Sequence, residues 1–302
     1  MRRLDRSRPS PGLRPVVART ALGAVAVLLL AACSGEQEGT GGTAAADRSG
    51  ATDDPGMGHV HGLGVDRASG DVLVATHTGL FRVRNGAEPQ RVADRRQDTM
   101  GFTIDGDRLL GSGHPDAREG LPSHLGLVES SDAGETWTAM SLQGDADFHA
   151  LTASGEEVVG WDSLSGALLV SGDGGRSWAA GAELDVVADL EHLPCGAGLL
   201  ATTADGLLVS RNSGRTFEAF APAPPTTLVH VEGAGPALTG VDVEGGVWDL
   251  AGDAWVPRGS IGAPPTAFSA SADGTLLAAT AEEVLRLDGG TWTVLADVAG
   301  TP

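Results

Sequence analysis

Histidines are concentrated in one part of this 302-residue chain. Six of the eight lie between residues 59 and 149, at His59, His61, His77, His114, His124 and His149. Two or three neutral imidazoles together with a carboxylate form a ligand set for Zn²⁺ or for a copper ion. Because these histidines are far apart in the sequence, they can act together only if the fold brings them to one place.

Three repeated segments predict what that fold is. Each segment reads Ser-x-Asp/Asn-x-Gly-x-Thr/Ser-aromatic, with one residue of slack, and follows a short apolar run. The residues that define them are Ser131, Asp132, Gly134 and Trp137; Ser171, Asp173, Gly175 and Trp178; and Ser210, Asn212, Gly214 and Phe217. Asp or Asn near Gly favours a tight turn between two strands. A spacing of about forty residues is typical of propeller blades.

This pattern resembles the Asp-box (BNR) repeat of sialidases, sortilin-type receptors and photosystem II assembly-factor-like propellers. The resemblance covers roughly residues 125–220, and the period alone extends it over 59–298. It implies a β-propeller in which these turns lie away from the usual binding face. It does not imply one function, because the same fold carries many.

A register of short strands indicates the number of blades. Six predicted first strands recur about every forty residues, at His61–Val65, Met100–Ile104, Phe148–Leu151, Val186–Leu190, Thr227–Val231 and Thr266–Ser269. We therefore expect an all-β protein with a single six-bladed propeller of four-stranded antiparallel blades, over residues 57–299. Seven blades remain open at this point, because part of the preceding segment could contribute to the ring.

The same register places the histidines at one mouth of the propeller channel. His59, His61 and His149 begin inner strands, whereas His77 and His114 follow second strands, as does Asp162. In a propeller, these two positions open on the same face. We predict a Zn²⁺ or copper site at this mouth from these residues, with His61, His77, His114 and His149 as the main ligands. The alternative is that these histidines are polar mouth residues that bond to carbonyl groups and water.

The long loop Gly113–His124 is predicted to project onto this mouth as a binding lid, since the other turns are short.

The first residues are typical of an export signal. Six Arg and one Asp precede the apolar stretch Ala21–Ala32, which is too short to span a bilayer. Leu30-Ala31-Ala32-Cys33 resembles a bacterial lipobox, which implies cleavage after residue 32 and acylation of Cys33. Residues 34–56 are rich in Gly, Ala, Thr and acids, so we read residues 33–56 as a flexible tether. The expected location is extracytoplasmic, anchored by lipid to the cell membrane.

The chain is strongly acidic. Lysine is absent, and residues 33–302 contain 14 Arg against 39 acidic residues, a net charge of −25. Nucleic acid and anionic lipid surfaces would be repelled, so neither is an expected partner. We expect a monomer whose ligand is an unidentified protein or small molecule.

An enzymatic function is the competing interpretation. Relatives of this kind are often labelled glycosyl hydrolases, and sialidases resemble one another in a Tyr nucleophile and an Arg clamp. The chain contains no Tyr, which makes a Tyr-nucleophile sialidase an unsuitable assignment. A hydrolase that uses two carboxylates remains open, with acids near the predicted mouth at Asp116, Glu119, Asp147, Asp162 and Asp242. The preferred interpretation is a ligand-binding or assembly module.

Overall fold

The computed structural model describes residues 54–193, 196–234, 237–271 and 273–298. Over these residues the chain folds into six four-stranded antiparallel sheets that form a six-bladed β-propeller. None of the described residues forms a helix long and apolar enough to cross a membrane. The predicted signal at 1–32, the lipidated Cys33 and most of the predicted tether lie outside the described residues.

Each blade consists of four consecutive strands, numbered from the channel outward. Blade 1 contains Val60–Val65 (β1), Val72–Thr76 (β2), Gly79–Val83 (β3) and Gln90–Arg91 (β4). Blade 2 contains Asp98–Asp105 (β5), Arg108–His114 (β6), Leu127–Ser130 (β7) and Thr138–Ser141 (β8). Blade 3 contains Phe148–Ser154 (β9), Glu157–Asp162 (β10), Ala167–Ser171 (β11) and Ala179–Glu183 (β12).

The other three blades follow the same order. Blade 4 contains Val187–His192 (β13), Leu199–Thr203 (β14), Gly206–Ser210 (β15) and Glu218–Ala219 (β16). Blade 5 contains Leu228–Ala234 (β17), Ala237–Asp242 (β18), Gly246–Ala251 (β19) and Ala254–Ser260 (β20). Blade 6 contains Ala267–Ala270 (β21), Leu276–Ala279 (β22), Glu283–Asp288 (β23) and Thr291–Asp297 (β24).

The hydrophobic core lies between neighbouring blades. The second strand of a blade is the most buried, and every residue of β2 and of β14 is buried. These strands read as continuous apolar runs because both of their faces pack against other sheets. The six inner strands are left to line a central channel, and their ends form its two mouths.

The ring closes by side-chain packing between the first and last blades. Val60, Val74 and Phe81 of blade 1 share one apolar cluster with Leu277 and Val284 of blade 6. Both blades are completed by their own four strands. The fold therefore has six blades, as the spacing predicted, and the seven-bladed alternative does not apply.

The three repeated turns share one hydrogen-bond pattern. The Ser171 hydroxyl accepts a hydrogen bond from Gly175 N–H at 2.8 Å, and the Asp173 carboxylate accepts bonds from the backbone and hydroxyl of Ser177 at 2.9 and 2.6 Å. Ser210 and Asn212 accept the same backbone bonds, but Asn212 Nδ2 donates to the Thr216 hydroxyl instead of accepting from it. In the first turn the accepting hydroxyl belongs to Ser130, one residue before the Ser131 selected in the sequence pattern.

Two glycines of these turns are required by close packing. Gly134 and Gly175 have φ of +88° and +92°, a region that favours glycine. A Cβ at either position would lie 2.2 Å from a leucine methyl of the preceding blade, in Leu80 and Leu127 respectively. The turns therefore pack each blade onto the one before it.

Candidate metal centre at the channel mouth

The first cluster combines three histidines of blade 1 with a carboxylate of blade 2. It consists of His59, His61, His77 and Asp98. His77 Nδ1 lies 2.8 Å from Asp98 Oδ1 and 3.3 Å from His61 Nε2. His61 Nε2 is 3.9 Å from the same Asp98 oxygen. These distances bring the ligand atoms of His61, His77 and Asp98 close enough to share one ion.

Burial keeps part of this cluster neutral. Burial, with the neighbouring His77 as the next cause, lowers the pKa of His61 to about 3. The same two causes lower the pKa of His59 below its ordinary value. A neutral imidazole retains a lone pair, which is the form that binds a metal ion.

The second cluster gathers three more histidines around one buried carboxylate. It consists of His114, His124, His149 and Asp147. Asp147 Oδ2 is 3.0 Å from His149 Nε2, 3.7 Å from His114 Nε2 and 3.8 Å from His124 Nδ1. His114, His124 and Asp147 have ligand atoms near enough to one another to hold one ion.

Asp147 is the most enclosed group of this mouth. Its side chain is 5 % exposed. Its Oδ1 and the Nδ1 of His124 are both buried, and neither has a hydrogen-bond partner among the described residues. Burial by itself raises the pKa of the carboxyl, but hydrogen bonding and charge from His149 outweigh it and hold the pKa below its usual value. The second cluster thus contains an ionised carboxylate and an imidazole that each have one buried atom without a hydrogen-bond partner among the described residues.

The loop Gly113–His124 carries two members of this cluster, His114 at its start and His124 at its end. Arg118 forms an ion pair with Asp116 at 2.6 Å, and Arg96 N–H donates to the same carboxylate at 2.9 Å. The loop ends where Gly144 N–H donates to His124 carbonyl oxygen at 2.9 Å. These contacts fix the loop at the mouth and direct His124 to Asp147.

Of the predicted ligands, five histidines lie in these two clusters and Asp162 does not. The Asp162 carboxylate accepts hydrogen bonds from Ser165 hydroxyl at 2.6 Å and from Asp147 N–H at 2.9 Å. Asp162 therefore closes its own turn and fixes the backbone of Asp147. The carboxylates that face the imidazoles are Asp98 and Asp147.

Other acids considered for a two-carboxylate hydrolase are likewise engaged locally. Asp116 pairs with Arg118 and Glu119 with Arg95 at 2.7 Å. Asp242 accepts a hydrogen bond from Trp248 Nε1 at 2.9 Å, in the turn of blade 5 that corresponds to the Asp162 turn of blade 3. These carboxylates hold loops and turns in place.

Sequence reasoning missed Asp98 and His124 as members of the clusters, and it named Asp147 only among the acids of a possible hydrolase. Asp98 lies two residues before Met100, where the second blade was predicted to begin, so a longer first strand would have included it. His124 ends the loop that was predicted to cover the mouth. In both cases the position was available in the sequence, and the contact depended on the fold.

A group of carboxylates inside the channel was also missed. A cavity of about 900 Å³ follows the channel and is lined in part by Asp189, Glu191 and Glu232. Burial raises the pKa of all three, and mutual repulsion adds to this for Glu191 and Glu232. Each accepts a backbone hydrogen bond from the next blade, at 2.9, 2.9 and 3.3 Å respectively. Asp189 and Glu191 are two residues apart on one inner strand, so the sequence could have placed both on the same face of that strand.

Comparison with solved structures shows the fold. A gluconolactonase of Xanthomonas campestris has a TM-score of 0.59 and 13 % identity, over 74 % of this chain and 84 % of that one. A GH74 enzyme of Niastella koreensis has a TM-score of 0.53 and 16 % identity, over 80 % and 45 %. PorZ, a surface component of the type-IX secretion system of Porphyromonas gingivalis, has a TM-score of 0.53 and 14 % identity, over 80 % and 33 %.

These likenesses do not assign a function. The chain spans 39 % of the length of an ancestral GH74 enzyme that it matches at 12 % identity with a TM-score of 0.52. No model of a known protein family matches the sequence. No curated protein matches it either. The neighbours are β-propellers of different activities, so the residues at the channel mouth are the only guide to function among those described.

Proposed function

We propose that this propeller is a metal-binding module that takes Zn²⁺ or Cu²⁺ at its histidine-rich mouth. The observation that carries the proposal is the buried pair Asp147 Oδ1 and His124 Nδ1, both without hydrogen-bond partners among the described residues. An unsatisfied buried polar atom costs free energy, and a cation held by His124 and Asp147 would offset part of that cost.

The donor set supports these two ions in particular. Imidazole nitrogens with one carboxylate suit Zn²⁺ and Cu²⁺, whereas Ca²⁺ and Mg²⁺ prefer oxygen ligands. Two imidazoles and one carboxylate in each cluster would leave a coordination position for water or for a group from a partner. The net charge of −25 over residues 33–302 attracts cations to the protein.

The test is metal content and metal affinity. The untagged protein, purified without chelator, should contain near-stoichiometric metal by elemental analysis and should bind added Zn²⁺ and Cu²⁺ in competition with a chromophoric chelator. The double variant His61→Ala, His114→Ala should lose this binding. His192→Gln is the matched control, because His192 lies outside both clusters. Its Nδ1 is 3.1 Å from the Thr152 hydroxyl.

Absence of metal binding would point to a different kind of ligand. A wild-type protein that binds neither ion more tightly than an arbitrary acidic protein contradicts the proposal. The mouth would then be a surface for an organic ligand or a partner protein, and screening for glycan binding and hydrolysis would be the next experiment.

We further propose that the module works outside the cytoplasmic membrane, anchored by lipid, since the segment ending in Cys33 resembles a lipobox. Labelled fatty acid should enter the wild-type protein and not the Cys33→Ser variant. Equal labelling of both would contradict acylation at this residue.

A further inference from the structure

The imidazole of His114 lies between two carboxylates of the mouth. Its Nδ1 is 3.3 Å from Asp98 Oδ2, and its Nε2 is 3.7 Å from Asp147 Oδ2. The other oxygen of Asp98 faces the first cluster, at 2.8 Å from His77 Nδ1. The two clusters therefore share a continuous path of side chains from His77 through Asp98 and His114 to Asp147.

From this path we infer that the mouth binds two ions and that Asp98 couples them. The inference rests on the proposed metal-binding function. Asp98 is a ligand of the ion in the first cluster and a positioning residue for the ion in the second. It acts on the second ion only through His114.

The chemistry of the imidazole gives the coupling its mechanism. A neutral imidazole has one N–H and one lone pair. When His114 donates Nδ1–H to Asp98, its lone pair is on Nε2, which faces the second cluster. A carboxylate in this position also makes the ligand more basic, as is usual for histidines bound to metals.

The sign of the coupling follows. An ion in the first cluster draws the charge of Asp98 toward itself, so the hydrogen bond that supports His114 is weakened. Repulsion between the two cations acts in the same direction. Filling the first cluster should therefore lower the affinity of the second cluster, and by linkage the reverse also holds.

The experiment compares two variants that both remove the first cluster. His77→Ala removes a ligand and leaves the Asp98 bond to His114. Asp98→Asn removes the charged ligand and also weakens that bond, because a neutral amide oxygen accepts less strongly than a carboxylate. Each is titrated with Zn²⁺ against a chromophoric chelator, and the wild type is titrated with Cu²⁺ and followed by electron paramagnetic resonance.

The wild type should bind two ions in two steps. Its resonance signal should change from that of an isolated Cu²⁺ to that of an interacting pair as the second equivalent is added. Both variants should bind one ion, but Asp98→Asn should bind it about 10- to 100-fold more weakly than His77→Ala. Thermal unfolding and near-ultraviolet circular dichroism confirm that each variant is folded, and Asp98→Ser replaces Asp98→Asn if it is not.

Three results would overturn the inference, and they are distinguishable. A wild type that binds no ion contradicts the proposed function as well. A wild type that binds only one ion leaves the function intact and contradicts the two-ion arrangement. A wild type that binds two ions, together with equal affinity for the one remaining ion in His77→Ala and Asp98→Asn, contradicts the role of Asp98.

Discussion

The carboxylate of Asp162 accepts a hydrogen bond from the backbone N–H of Asp147 at 2.9 Å. One acid of blade 3 thus holds in place the other acid that faces the imidazoles. The interaction joins the end of β10 to the segment that leads into β9, next to the channel mouth. It explains how a turn residue that touches no histidine can contribute to the site.

Replacing Asp162 should therefore affect both stability and metal binding. We expect Asp162→Ala to lower the free energy of unfolding by about 1–3 kcal/mol, because buried N–H groups lose their acceptor. It should also weaken metal binding, because Asp147 is no longer fixed. Chemical denaturation and chelator competition measure the two effects separately.

The matched control is Asp242→Ala. Asp242 closes the equivalent turn of blade 5 by accepting hydrogen bonds from Gly246 and Trp248. Its loss should reduce stability to a similar degree and leave metal affinity unchanged. Equal metal loss in both variants would show that the effect comes from general destabilisation.

The repeated turns give a prediction about adjacent serines. Ser130→Ala should lower the free energy of unfolding by about 1 kcal/mol or more, because the buried Gly134 N–H donates to this hydroxyl at 2.9 Å. Ser131→Ala should change it by no more than about 0.5 kcal/mol, since Ser131 is exposed. Denaturant titration of the two variants tests the assignment, and a larger effect at Ser131 would refute it.

A glycine substitution should show how tightly the blades are packed. Gly175→Ala places a methyl group 2.2 Å from Leu127 Cδ2 at a φ of +92°, so the strain should destabilise the fold by about 1–3 kcal/mol or more. Gly172→Ala in the same turn meets no atom within 4 Å and should be nearly neutral. The melting temperatures of the two proteins provide the comparison, and equal values would contradict the packing argument.

The channel carboxylates predict how stability depends on pH. Their pKa values are raised by burial, so the folded protein holds protons that the unfolded chain has released. Stability then falls as the pH rises from the ordinary carboxyl range through the raised values. His230, whose pKa burial lowers to about 4, acts in the opposite sense, but only below the ordinary histidine range of about 6.5.

Above about pH 6.5 the carboxylates should therefore dominate. We expect the free energy of unfolding, measured with chelator present, to fall between about pH 6.5 and 8.5, by up to about 1.4 kcal/mol per pH unit for each proton released. Glu191→Gln should flatten this slope. Glu183→Gln on the exposed outer strand β12 is the control, and the same flattening there would contradict the assignment.

The strand order could be predicted from sequence, whereas the ligand set could be predicted only in part. Apolar runs and turn residues identify six similar units, and that register places His61, His77, His114 and His149 at one mouth. Residue type does not reveal which partner a carboxylate takes. Asp162 occupies the expected position, yet its oxygens bond to its own turn and to Asp147, while Asp98 takes the place beside the imidazoles.

The choice between Ser130 and Ser131 could have been made from spacing. Ser130 stands at the same distance from the Asp and Gly of its turn as Ser171 and Ser210 do from the Asp or Asn and the Gly of theirs, whereas Ser131 fits only with one residue of slack. The hydrogen bond to Gly134 agrees with the strict spacing. Asp189 and Glu191 alternate along one inner strand and Glu232 lies on the next, but their long-range partners in the next blade cannot be predicted from local spacing.

Because each blade consists of four consecutive strands, each blade is one continuous stretch of the sequence. A recombination event at two boundaries between blades would exchange a complete blade without cutting a sheet. The mouth histidines all belong to the first three blades, and the channel carboxylates to the fourth and fifth. The mouth histidines and the channel acids can therefore be exchanged or lost independently of each other.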